Sequence, residues 1–498
     1  MTVKVFSLVL IAFLSASDKQ LYSTIQMMDQ VMVVNPENLQ IDQSISTEFS
    51  DGMQMQSCMD YSMEMDCMMA PGCEWMMGMC MEAEDSCMDY SMEMDCDMDS
   101  GCEWMMGMCM ESTDNNIMNT PHFIAMDEVN GYWFVTTIAS GYVAQFSLLD
   151  NSLIDTYFVG DAPALLAVDS MHKKVYCSRM MPMNGMGNMM PSSESNIIQA
   201  LHYSSMGLSE VEGGIYEINS PAPHGLTIND DGSKIYTASN TADWVYEIDT
   251  DTGEIEGYPL DSELGNSPDQ TTQRLKPIQC LFVDNKLFIS CSAGTWYDPF
   301  SGLSEVIPGQ LQMWDANTMI LIDSIDLGEH SSPWHIASSP IDEVVYVALG
   351  GDNLYDTEGV SAVRYGNNAL SIDWTVTDSS FDALHGVDVS YDGQMIFISG
   401  RGDGYIHVFD NSGNYISNLS LGSMAMLGGL AIEKKGTPYL GDLNNDNNTN
   451  IFDIVLSVES ILSPMMISPY QGHACDINED NNINVSDIVL LVNLVLSF

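Results

Sequence analysis

Two stretches near the end of the chain carry side-chain oxygens at a repeating interval. In GDLNNDNNTNIFD, Asp442, Asn444, Asp446, Asn448, Asn450 and Asp453 stand at positions 1, 3, 5, 7, 9 and 12 of a loop. CDINEDNNINVSD sets Asp476, Asn478, Asp480, Asn482, Asn484 and Asp487 at the same positions. A calcium ion takes roughly six to eight oxygens from one tight loop, and this interval supplies them, Asn448 and Asn482 through their backbone carbonyls. Two calcium ions are expected. The sixth position, usually glycine, holds Asn447 and Asn481, residues that tolerate a positive φ. A merely hydrated Asp/Asn linker is the bland alternative, and two in-phase copies argue against it. Each loop runs into an apolar stretch, Ile451–Ser460 or Val485–Leu496, predicted as a helix.

Sulfur offers a second chemistry. Residues 58–80 recur as 87–109, each copy with the spacing C-x8-C-x5-C-x6-C. Cys58, Cys67, Cys73 and Cys80 form one unit, and Cys87, Cys96, Cys102 and Cys109 the other. In an exported segment too small to build a core, such cysteines pair as disulfides, two per repeat. Of the 40 methionines, 20 lie within 53–118 and six more within 180–190, among them Met180, Met181, Met183 and Met186. Thioethers select soft ions such as copper(I). The alternative is that they supply adaptable apolar contact and nothing more.

Histidine is the third candidate. His122, His224 and His385 occupy the same position in the recurring segments PHFIAMD, APHGLTIND and ALHGVDVSYDG. Arranged in a ring, these imidazoles would converge on the axis and could hold copper or zinc. His335, one residue out of register, is expected to point away, and His202 to approach the same rim. The competing reading is neutral imidazoles satisfied by the neighbouring backbone.

The elements that position these groups are mostly strands. Seven segments beginning near residues 121, 162, 222, 276, 332, 383 and 426 open with a proline or small residue, continue as an apolar strand and turn back. Asp231-Gly232 and Asp392-Gly393 sit where a tight hairpin needs a positive φ. This texture resembles the YVTN-type and WD-repeat-like β-propellers over residues 119–441, which implies seven blades of four strands. The last opening leaves room for only two strands before residue 442. The text QVMVVNPENLQIDQSI (30–45) matches the outer-strand text LQMWDANTMILIDSI (311–325), so the N-terminal segment is expected to add the two outer strands of blade 7 and close the ring. Closure puts the Cys/Met repeats between an outer strand and the next inner strand, and residues 178–196 between the second and third strands of blade 2. Both insertions then crowd one rim.

The paired oxygen-bearing loops and their helices resemble a dockerin module, which implies a cohesin-like or cell-surface partner. The residues after Asp453 and Asp487 are apolar rather than the polar pair common in cellulosomal dockerins, so attachment to a cellulosome does not follow. The expected order is a signal peptide at 1–17, ring-closing strands at 18–48, Cys/Met-rich repeats at 50–116, the all-β propeller at 119–441 and the helical dockerin-like domain at 442–498.

Composition narrows the function. With 13 Lys+Arg against 70 Asp+Glu, the net charge is −57, which excludes a nucleic-acid partner because phosphate binding needs clustered bases. Lys4, the apolar run Val5–Leu14 and Ser15-Ala16-Ser17 read as an export signal, too short to span a bilayer, which takes about 20 residues. The protein is therefore expected outside the cell or on its surface. No G-x-S-x-G elbow, Walker loop or zincin helix occurs, and no catalytic residue is assigned. Arg401-Gly402-Asp403 reads as a turn, and Cys177, Cys280 and Cys291 as core residues or a disulfide. The leading expectation is an exported calcium-binding propeller that binds a ligand or partner, with copper on its Met-rich face. The alternatives are a metal-dependent oxidoreductase or lyase with a tri-histidine site at the channel mouth, and a dockerin-borne part in extracellular polysaccharide processing.

Overall fold

The computed structural model describes residues 19–49, 119–180, 196–261, 267–297, 302–352, 354–434, 439–446, 448–463, 467–478 and 482–496, together with the backbone of four short strands within 73–111. The signal segment lies outside the described residues. So do the side chains of the Cys/Met repeats, where only two backbone hairpins are described: Cys73–Met76 with Met79–Glu82, and Cys102–Met105 with Met108–Glu111. The expected disulfides and the candidates Met181, Met183 and Met186 therefore fall outside it too.

Seven four-stranded antiparallel sheets form the ring. Their opening strands are Pro121–Asp127, Pro163–Asp169, Pro223–Ile228, Pro277–Val283, Pro333–Ser338, Leu384–Val389 and Leu427–Ile432. Each contacts the opening strand of the next blade, and the last contacts the first. Apolar side chains fill the wedges between blades: Ile124, Trp133, Val135 and Ala144 of blade 1, for example, meet Tyr22, Val31 and Val33 of blade 7. Hydroxyls from the second strand of one blade tie down the opening strand of the next. Thr136 Oγ1 donates to Ala164 O at 2.8 Å, Ser178 Oγ to His224 O at 2.9 Å, Ser290 Oγ to Trp334 O at 2.6 Å and Ser399 Oγ to Gly428 O at 2.7 Å.

Ring closure comes from the N-terminal segment, with one correction. The expected contribution is two outer strands; the structure shows three. Leu427–Ile432 pairs with Leu21–Ile25, which pairs with Gln30–Asn35, which pairs with Gln40–Ser46. Among the described residues no return strand lies between Ile432 and the first oxygen-bearing loop at Asp442. LYSTI, β-branched and aromatic and buried at all five positions, takes that place. Interleaving the first and last strands of the propeller in one sheet closes the ring.

Strand direction alternates within each blade, so fourth-to-first and second-to-third connections leave from the same face. The connection 47–119, carrying the Cys/Met repeats, is of the first kind, and 180–196 is of the second. The small hairpin Gly294–Tyr297 with Ser304–Ile307 is a third insertion on that face. Three helices follow the propeller: α1 (Ile451–Leu462), α2 (Pro469–Cys475) and α3 (Val485–Leu496). The sequence predicts α1 and α3, not α2.

Candidate functional site

Every opening strand contains a bulge near its start, as between Pro121 and Ile124, Pro333 and Ile336, and Leu384 and Val387. A bulge inserts an unpaired residue and turns the following side chains to the other face. This is why counting residues from the proline fails for His335. Instead of pointing away, it joins the axial group. The ring centroids of His122 lie 6.2 Å from His224, 6.4 Å from His335 and 5.5 Å from His385, and His335 lies 4.5 Å from His385. All four rings are buried.

Two of them are oriented by hydrogen bonds. His224 Nδ1 donates to Ile278 O at 2.6 Å, and Ser178 holds the carbonyl of His224 itself. Gln26 Nε2 donates to His122 Nδ1 at 2.9 Å, which places the proton of that neutral ring on Nε2. His122 Nε2, His335 Nε2 and both nitrogens of His385 are buried with no hydrogen-bond partner among the described residues. Burial pushes His224 down to about 4 and His335 to about 3, and burial with the neighbouring imidazoles holds His122 and His385 well below the usual histidine range. The cluster is therefore neutral at pH 7. Neutral imidazole is the form that ligates metals, yet among the described residues no three His, Cys, Asp or Glu side chains stand in a metal-holding arrangement. Two rings also rest on aromatic neighbours: Trp334 is 4.6 Å from His385 and Phe123 is 5.4 Å from His335. His335 also lines a cavity of about 330 Å³ along the opening strands, whose lining includes Glu128, Asp388 and Lys434.

Other candidates are placed differently. Met180 is half-buried against the apolar core between blades 2 and 3 rather than presented as a ligand. His202 sits exposed near the far end of Ile197–Ser204, paired across to Lys174 and Ser209, and so faces away from the imidazole rim. Cys177, Cys280 and Cys291 are free, buried thiols whose pKa values burial raises. They are core residues, not a disulfide.

The two oxygen-bearing loops share their internal bonds. In the first, Asp453 Oδ2 accepts from Asn450 N at 2.8 Å, Asp453 Oδ1 from Leu443 N at 2.9 Å, and Asn450 Nδ2 donates to Asn448 O at 3.1 Å. In the second, Asp487 Oδ2 accepts from Asn484 N at 2.9 Å, and Asn484 Nδ2 donates to Asn482 O at 2.6 Å. Asp453 and Asp487 are buried at the first turns of α1 and α3, and no ion pair reaches either among the described residues. Neither loop contains a Lys or Arg. Buried carboxylates ringed by amide and carbonyl oxygens fit a hard divalent cation. Asp442, Asn444, Asp446, Asn448 and Asp453 would hold one calcium ion. Asp476, Asn478, Asn482 and Asp487 would hold the other, and Asp480, a further expected ligand, lies outside the described residues. Asn450 and Asn484, also expected as ligands, accept from Phe452 N and Ser486 N at 2.9 Å through Oδ1. Duplicated loops, each capping an apolar helix, are the decisive observation.

Residues 440–496 match the dockerin type I domain. No curated protein sequence matches the chain. Among solved structures it is similar to a hydrazine synthase chain of Kuenenia stuttgartiensis, at 12% identity and a TM-score of 0.48, over 66% of this chain and 98% of that one. It is also similar to a putative 6-phosphogluconolactonase from Bacteroides fragilis, at 11% identity and a TM-score of 0.47, over 66% and 91% of the two chains.

The dockerin is fastened to the propeller. Tyr470 of α2 is 1% exposed and belongs to the apolar cluster of Tyr22, Trp133 and Phe146 at the ring seam. Asn445 Nδ2, from the first oxygen-bearing loop, donates to Glu128 O of blade 1 at 3.0 Å. On their outer sides, α1 exposes Ile451, Phe452, Val455 and Leu462, and α3 exposes Val485, Val489 and Leu496. Among the described residues, no helix is long and apolar enough to cross a membrane.

Proposed function

We propose that this chain is an extracellular partner-binding module in which calcium-loaded dockerin loops present α1 and α3 to a cohesin-type receptor, anchoring the propeller at a surface or scaffold. The observation that carries this is the dockerin match over 440–496 together with the apolar residues that both helices leave in water at corresponding places. Exposed apolar patches on two duplicated helices mark an interaction surface. Calcium supplies the charge that lets Asp442, Asp446 and Asp453 converge, and their convergence sets the start of α1. The export signal read from Lys4 to Ser17 agrees with an extracellular site of action.

Binding of full-length protein to a panel of cohesin domains, by calorimetry with calcium and with chelator, tests this. Calcium-dependent binding to at least one cohesin, lost in an Ile451→Asp/Val485→Asp double variant, is expected. Binding to none, or binding indifferent to both chelation and the double variant, would overturn it.

A further inference from the structure

The chain has four arginines. Three are matched with carboxylates: Arg179 with Asp161 at 2.8 Å, Arg274 with Asp261 at 2.7 Å and Arg364 with Asp373 at 2.7 Å. Arg401 is the exception. It follows the second strand of blade 6, its backbone N–H donates to Ala383 O at 3.0 Å, and its guanidinium makes no ion pair or hydrogen bond among the described residues. The side chain is partly buried, and burial lowers its pKa with no carboxylate close enough to oppose the effect. Its backbone bond to Ala383 sets it beside the start of Leu384–Val389, the strand that carries His385, on the histidine side of the axis. In a protein of net charge −57, an arginine withdrawn from water without a counter-charge is conspicuous.

The imidazoles beside it supply donors. Each neutral ring carries one N–H. On His122 that N–H is Nε2, because Gln26 donates to Nδ1. On His385 both nitrogens are without partners, so one N–H there is unspent, and His335 Nε2 is likewise unpartnered. A metal ion is the poorer occupant. Among the described residues no three side chains stand in a metal-holding arrangement, the free nitrogen of His122 is protonated, and the neighbouring guanidinium repels a cation.

We propose that Arg401 and the axial imidazoles His122, His335 and His385 form a binding site for a small oxyanion, either a free tetrahedral oxyanion or the carboxylate end of an organic ligand. The guanidinium fork supplies charge and two parallel donors. The imidazole N–H groups take the remaining oxygens. Gln26, through His122, fixes one donor and acts as a positioning residue. The site depends on the propeller alone, so its failure leaves the dockerin reading untouched.

Thermal unfolding of calcium-loaded full-length protein, titrated with sodium sulfate or sodium acetate at constant ionic strength, tests the site. Sulfate raises the Tm of any protein by exclusion, but that rise is linear in concentration. A site gives a saturable rise at low millimolar anion. That component is expected in the wild type, lost in Arg401→Gln and weakened at least tenfold in His385→Asn. A response to sulfate alone identifies a tetrahedral oxyanion, and a response to acetate alone a carboxylate ligand. Should Arg401→Gln fail to fold, nitrogen NMR of histidine-labelled wild-type protein decides. Anion-dependent shifts of the axial ring nitrogens are expected, and their absence with both anions would sink the proposal. A saturable response unchanged in Arg401→Gln would overturn it, as would stoichiometric zinc or copper binding that survives Arg401→Gln and is lost in His385→Asn.

Discussion

The ring of Tyr470 lies directly over Gly131, so that a Cβ added to that glycine would fall 2.5 Å from two of the ring's carbons. Gly131 also sits at φ +80°, in the turn between the first and second strands of blade 1. Only glycine satisfies both demands. Gly131→Ala should therefore expel Tyr470 from the seam as well as strain the turn, costing about 2 kcal/mol or more. Tyr470→Ala should cost about 3 kcal/mol by leaving a cavity beside Trp133 and Tyr22. Calorimetry checks both. In each variant the unfolding of the dockerin is expected to separate from that of the propeller.

Ring closure concentrates on Tyr22. Its hydroxyl lies 3.0 Å from Asn151 Oδ1, 3.0 Å from Gln20 Oε1 and 3.1 Å from Glu433 Oε1, linking blade 7 to blade 1. Burial and the Glu433 carboxylate hold its pKa well above that of a free tyrosine, so it stays a donor. Tyr22→Phe removes a hydrogen bond to buried acceptors and should cost about 1–3 kcal/mol. Tyr176 is the internal control. Its hydroxyl is buried with no hydrogen-bond partner among the described residues, so Tyr176→Phe should be neutral or slightly stabilising in urea unfolding.

The blades were readable because their openings repeat, and the calcium loops because oxygen ligands must recur at fixed intervals. Asp231-Gly232 and Asp392-Gly393 do turn with positive φ at glycine, 74° and 70°. His335 was misread because a bulge is a backbone event that leaves no mark in apolar alternation. Arg401 was passed over for a related reason. Three of its four kind bind a nearby aspartate, and only coordinates show which arginine does not. Tyr470 looks like a linker aromatic in sequence, since its partners Tyr22 and Trp133 lie hundreds of residues away.

The histidine cluster makes stability depend on pH in a definite direction. The groups facing it are Arg401, Gln26, Trp334 and Phe123, with no carboxylate among them. His224 and His335 have folded values of about 4 and about 3 against 6.5 in the unfolded chain. Below pH 6.5 the unfolded chain binds protons that the folded cluster excludes. Stability from these groups is thus complete above pH 6.5 and lost as pH falls toward 4. Each histidine contributes up to about 1.4 kcal/mol per pH unit in that window. His224→Asn, whose amide can still donate to Ile278 O, should flatten the slope by one proton's worth. Urea unfolding at pH 7, 6 and 5 measures it, and an unchanged slope would refute the assignment.

Calcium removal should reach beyond the dockerin. Asp453 caps α1 by accepting from Asn450 N while its buried carboxylate faces the same loop as Asp442 and Asp446. Without a cation those charges repel at short range, and the first turn of α1 loosens. The loop is tied to blade 1 through Asn445 and Glu128, and the second loop begins one residue after α2, which carries Tyr470 into the seam. Chelation should therefore lower the Tm of the propeller as well as the helix signal. Because a ligand stabilises in proportion to the logarithm of its free concentration, the propeller's Tm should climb with free calcium until both loops saturate. The Tyr470→Ala variant isolates one of the two links: its helices should still respond to calcium, while the calcium dependence of its propeller Tm should shrink to what the Asn445–Glu128 tie transmits. A propeller transition that ignores calcium in the wild type would show the two parts to be energetically independent.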